Sequence, residues 1–217
     1  MPETRVTVAL IAFAVVAAIV GFMTASEPRS STVLHVLSMG IVVSAIFYFV
    51  VVWVPARQRK ARIHRNLKKY YDAFRLSCIS TFLIASDSKE YRPVEWLLDQ
   101  EEFRRHFSFY VADHQTRWDA VLNALNQKAF LLRDILHDLE ILREEFLHVL
   151  SSIDVHDEEV FEFLKRLAHA IFRLRDVKPE YDDIKFIGGF LWEIFAGWSL
   201  IEGYKNEDIV LSMIERI

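Results

Sequence analysis

Two long uncharged stretches open the chain. Residues 6–26 pass 21 positions without a charged side chain, and residues 30–56 pass 27 with His35 as the one group titrating near neutrality. At about 1.5 Å per helical residue, either is long enough to cross a hydrocarbon core of about 30 Å. Glu27, Pro28 and Arg29 between them leave room only for a tight reversal, so residues 1–56 predict an antiparallel transmembrane hairpin with spans at about 6–25 and 32–54. Trp53 stands where the second span leaves the hydrocarbon, and Pro55 is placed to kink the exit. A cleaved signal peptide ending near Ala25 fits less well, because the apolar run exceeds the usual core of roughly 7 to 15 residues and Met23 sits where a small residue is wanted.

Beyond residue 56 the apolar positions fall into stripes of helical period. Ile63, Leu67, Tyr70, Phe74 and Cys78 share one face of a basic stalk helix over 57–85. Residues 86–217 then read as a helical domain. Asp99 caps a helix with Glu102 reaching back, and Trp118, Leu122, Leu125, Leu132, Leu139 and Phe146 predict one helix over 118–150, either a bundle spine or a dimer seam. Asp154 is read as the cap of the next helix, Pro179 as its stop, and 207–217 as a last helix. Residues 184–201 are apolar nearly all round and read as the central helix, with an oligomer interface or a re-entrant membrane segment as alternatives. In it, Trp192, Trp198, Gly188, Gly189 and Gly197 are interface or switch candidates, since glycine allows close approach or bending. The expected class is all-α, a two-helix transmembrane hairpin followed by a cytoplasmic helical bundle, with little or no strand.

Composition sharpens this picture. The hydrophobic fraction of 53% is concentrated in the anchor, and with Gly at 6 and Pro at 5 there is little to break helices. Cys78 is the lone cysteine, which rules out an intrachain disulfide and a thiolate zinc cage. The net charge of −4 divides unevenly: residues 1–69 carry nine Lys and Arg against two acids, and residues 70–217 carry seventeen against twenty-eight. The acidic domain argues against nucleic acid as a partner. The cations Arg57, Arg59, Lys60, Arg62, Arg65, Lys68 and Lys69 arrive with no acid before Asp72. They mark the cytoplasmic side of the second span and form a candidate membrane-surface site for anionic head groups. Two crossings place both termini in the cytoplasm, as a multi-pass protein of the inner membrane. Small residues four apart, Ala14 with Ala18, Ala17 with Gly21, and Gly40 with Ser44, suit close helix packing, and the spans carry no charge that would mark an ion path.

Chemistry is sparse. Asp134 with His137, and Glu145 with His148, stand three apart on one predicted helix face and are the candidate metal ligands; His156, His169 and Glu162 could complete such a site. No phosphate loop, nucleophile elbow or zinc-protease motif is present. The expectation is therefore no catalytic residues and no cofactor. The chain reads as a non-enzymatic membrane protein whose cytoplasmic domain binds a protein partner and localises or regulates it, with self-association as another use of that surface. Two alternatives are a membrane-permeabilising effector of a defence or toxin system held in check by a partner, and a metal-dependent enzyme. The layout resembles that of two-helix membrane effectors of phage-defence operons, a resemblance of architecture that no motif carries further.

Overall fold

The computed structural model describes residues 16, 19, 31–86, 93–112, 114–199, 203–205 and 207–217, and these are mostly helical. The first expected span and its reversal lie outside them, apart from Val16 and Ile19, which are helical and exposed. The chain divides into two compact units, Met1–Arg62 and Ile63–Ile217.

In the first unit, α1 (Ser31–Tyr48) leads into a π turn at Phe49–Trp53 and then α2 (Val54–Ala85). The amide of Val54 donates to the carbonyl of Phe49, one residue further back than an α-helix allows. Pro55 explains the wider turn: it has no N–H, and its ring would crowd the carbonyl of Val51, so the helix dilates instead of breaking. Across that turn the Phe49 and Trp53 rings stack at 4.6 Å, and the Arg57 guanidinium sits 5.2 Å above Trp53. Leu37, Met39, Val43, Ile46, Phe47 and Val50 are all exposed. Among the described residues one helix, Met39–Ala85, is long and apolar enough to cross a membrane, and none of its most apolar window is buried.

In the second unit the part of α2 beyond residue 62 buries Ile63, Leu67, Tyr71, Phe74, Cys78, Ile79 and Phe82. Tyr71 takes the place expected for Tyr70, which is 43% exposed, because a step of four from Leu67 keeps the stripe on one face. A 3₁₀ turn (Val94–Leu98) precedes α3 (Gln100–Phe107), and Asp99 caps α3 by accepting from the amides of Glu101 at 2.9 Å and Glu102 at 3.0 Å. Two small antiparallel hairpins interrupt the helices, β1 (Tyr110–Ala112) with β2 (Gln115–Thr116), and β3 (Trp198–Ser199) with β4 (Gly203–Tyr204).

The long helix expected over 118–150 is two helices, α4 (Arg117–Gln127) and α5 (Ala129–Ser152). Lys128 turns out of helical geometry at φ −116° and ψ 83° without help from Gly or Pro. Across the break Val121 and Leu125 share one core with Leu132 and Ile135, a burial that outweighs the modest propensity for continuing the helix. Next, α6 (Glu158–Leu174) is capped by Asp157 instead of Asp154. Asp157 reaches the amide of Glu159 at 3.1 Å and also holds Arg216 at 2.7 Å, while Asp154 lies further out beside His156 at 3.3 Å. Residues 184–201 do not form one helix buried all round: α7 (Tyr181–Ala196) ends at Gly197, whose φ of +63° is the left-handed geometry that favours glycine, and Phe186 is 53% exposed. The last helix is α8 (Ile209–Glu215), capped by Asp208.

Aromatic rings fill the centre. Phe82 meets Trp118 at 5.2 Å and Phe195 at 5.3 Å, both edge-on, and Phe103 stacks on Phe195 at 5.5 Å. Each such pair contributes roughly 0.5–1.5 kcal/mol beyond the area it buries. A buried polar staple joins α2 to the C-terminal helix: Arg75 pairs with Asp208 at 3.3 Å and donates to the carbonyl of Leu98, and the Tyr71 hydroxyl donates to Asp208 at 2.9 Å. Burial, first, and the neighbouring Asp208 carboxylate push the Tyr71 phenol well above its ordinary range.

Candidate functional site

The basic stretch lies along α2. Arg57, Arg59 and Arg62 are exposed and Lys60 is half-buried in the first unit; in the second, Arg65 and Lys69 are exposed. Lys68 differs from the rest, for its ammonium binds the Glu215 carboxylate at 2.7 Å. That hydrogen bond holds the lysine above and the glutamate below their usual ranges. Lys68 therefore helps to fasten α8, and the neighbouring cations meet no acid among the described residues.

On α1 the small pair Gly40 and Ser44 opens an apolar groove of about 670 Å³ between Leu37, Ile41, Ala45 and Tyr48. A side chain added at Gly40 would meet nothing within 4 Å, so the backbone there is open to a close neighbour.

The interface and switch candidates occupy four different environments. Trp192 packs inward against Trp118 at 5.2 Å and Phe103 at 5.7 Å, with its indole N–H donating to the Tyr204 hydroxyl at 3.3 Å. Gly188 is pressed against Leu122, whereas Gly189 faces open space. Gly197 and the half-buried Trp198 belong to the end of α7, which α3 closes: Gln100 donates to the Ile194 carbonyl at 3.3 Å, and Arg104 to that of Ala196 at 2.7 Å. These bonds satisfy carbonyls that a helix end leaves without intrahelical partners.

Asp134, His137 and His148 are exposed on α5, and Glu145 is half-buried. The His148 ring lies 3.3 Å from the Ser152 hydroxyl, and Glu162 lies 3.8 Å from Lys165 on α6. Among the described residues no group of three His, Cys, Asp or Glu is placed to hold a metal ion. Cys78 is fully buried, and burial raises its thiol well above the ordinary range, away from the thiolate a nucleophile needs.

A second concavity, of about 390 Å³, lies between α4 and the first turns of α7. Leu122 and Ile184 form its apolar floor. Gln115, Asn123 and Asn126 supply one wall, and Tyr181 and Lys185 the other, with His114 at the rim. Thr116 and Asp119 fix the first wall by a reciprocal cap: the Asp119 carboxylate accepts from the Thr116 amide at 2.8 Å, and the Asp119 amide donates to the Thr116 hydroxyl at 3.1 Å. His114 turns the hairpin at φ 62°. Sequence reading missed this groove because Asn123 and Asn126 look like a solvated helix face until α7 is set beside them; the Thr-x-x-Asp box at 116–119 was the one local signal.

No protein family, curated protein or solved structure matches the chain.

Proposed function

We propose that this is an inner-membrane protein, anchored by its apolar N-terminal helices, whose cytoplasmic helical unit binds a protein partner and holds or regulates it at the bilayer. The observation that carries the reading is the helix Met39–Ala85, whose exposed apolar stretch gives way directly to a row of cations. Such a surface is costly in water and favourable in lipid, and cations just past it favour the cytoplasmic, anionic leaflet. Partner binding is argued from the second unit, which keeps a well-packed core while presenting Phe109, Tyr110 and Val111 in succession at 59%, 65% and 49% exposure.

The test is crosslinking of the full chain in native membranes with an amine-reactive reagent. A single dominant partner is expected, and that partner should leave the membrane fraction when the chain is deleted. A partner distribution indifferent to the deletion would overturn the reading.

The apolar groove at Gly40 and Ser44 favours one alternative, assembly of the helices into a membrane-permeabilising effector restrained by its partner. Loss of membrane potential on expressing the full chain alone, absent when residues 1–56 are removed, would replace the first reading with this one.

A further inference from the structure

The carboxylates and imidazoles along α5 have no use in a single chain, since among the described residues no third ligand joins either the Asp134/His137 or the Glu145/His148 pair. We propose that they bind zinc between two copies of this chain. The α5 helix of one copy packs antiparallel on α5 of the other, and each of two equivalent ions is held by Asp134 and His137 of one copy and by Glu145 and His148 of the second. This site goes beyond the partner-binding function proposed above and does not depend on it.

The face of α5 that these residues share is symmetric about Ile141. Asp134 and His148 stand seven residues to either side of it, and His137 and Glu145 stand four. A two-fold axis beside Ile141 therefore sets Asp134 level with His148 of the second copy, and His137 level with Glu145 of the second copy. Each acid then faces an imidazole, so the face is complementary to itself. Within one chain the two pairs are eleven residues apart, about 16 Å along the helix, too far to share an ion. Reversing the second helix closes that gap, and at the usual interaxial distance of about 8–10 Å the four side chains converge from two sides. The face is open to such a neighbour: Asp134, His137 and His148 are exposed, Glu145 is half-buried, and Phe130 and Ile141 are apolar side chains exposed beside them. Among the described residues Asp134, His137 and Glu145 have no hydrogen-bond or ion-pair partner. The Ser152 hydroxyl lies 3.3 Å from Nδ1 of His148, which leaves Nε2 for the metal. Asp138 is taken by the Ser77 hydroxyl at 2.6 Å, and Arg133 lies about 80° round the helix from Ile141, clear of the seam. Two imidazoles and two carboxylates neutralise the ion and supply the nitrogen and oxygen donors of tetrahedral zinc. With four protein ligands the site is closed, so its role is structural.

The experiment strips the purified full chain with EDTA in detergent micelles and titrates it with Zn²⁺, measuring bound metal. One zinc per chain is expected. The decisive step mixes two double variants, Asp134→Ala/His137→Ala and Glu145→Ala/His148→Ala. Each alone should bind zinc at least about tenfold more weakly than the parent chain. Their mixture should regain one tight zinc per two chains, because one of the two sites is then intact across the interface. All four changes lie on the outer face of α5, and an unchanged melting transition will show that the variants fold. In native membranes, Ile141→Cys should form a disulfide-linked dimer under the metal-free oxidant diamide when zinc is present and not in EDTA, with the parent chain, whose Cys78 is buried, as the control. No tight zinc in the parent chain, a mixture that binds no better than its components, or a dimer at position 141 that forms equally in EDTA would each overturn the proposal.

Discussion

The helix that runs from Met39 to Ala85 changes character along its length, and the change is the clearest lesson of the molecule. Before the cations, Val43, Ile46, Phe49, Val51 and Val52 are exposed around the whole circumference of the helix; after them, Leu67, Tyr71, Phe74, Cys78 and Phe82 are buried along one stripe. Both stretches are apolar enough to need cover. The first is uniformly apolar, as a helix solvated by lipid must be, and the second is one-sided, as a helix on a protein core must be. The two should therefore fail differently under substitution.

The largest effect is expected in the first stretch. Replacing Val43 and Ile46 with Lys adds roughly 2.5–3.5 kcal/mol per charge against insertion, so the chain should leave the membrane fraction, while the urea transition of the second unit stays in place. In the second stretch Phe82→Ala should remove about 3–5 kcal/mol from that transition and leave membrane partition unchanged. Arg75→Ala comes next, at about 3 kcal/mol, because it leaves the Asp208 carboxylate in a site where the side chain is 10% exposed. A pair of glycine variants sharpens the contrast within one helix. Gly188→Ala, driven into Leu122, should cost roughly 1–3 kcal/mol, whereas Gly189→Ala, facing open space, should gain up to about 1 kcal/mol from helix propensity.

The smallest effects separate caps and protonation states. Asp157→Ala should lower the urea midpoint measurably and Asp154→Ala should leave it nearly unchanged. Alkaline pH tests Tyr71. Its folded phenol titrates above its unfolded value, so the folded state holds the extra proton, and stability should fall as pH rises past about 10. Tyr71→Phe should flatten that slope in urea titrations measured across the alkaline range.

How much of this was readable beforehand depends on how local the cause is. The stripe from Ile63 to Cys78 and the Asp99 cap follow from spacing within a turn or two, and the structure agrees except that Tyr71 replaces Tyr70. The break at Lys128 was not readable, because Asn126, Gln127 and Lys128 suit a helix surface as well as they suit a turn, and burial elsewhere decided between them. Asp154 and Asp157 are equally good caps by type; Arg216, from the far end of the chain, adds a contact that only Asp157 receives. The groove is the extreme case, since its walls come from helices far apart in sequence. Metal ligands were proposed from spacing along α5, and spacing on one helix says nothing of whether a second helix brings the remaining ligands.

The most direct test of the central claim is alkaline-carbonate extraction of membranes containing the full chain, combined with protease treatment of right-side-out and inside-out vesicles. The account predicts that the chain stays in the pellet and that residues 63–217 are digested only in inside-out vesicles. Release into the supernatant, or protection of that unit in inside-out vesicles, would contradict it.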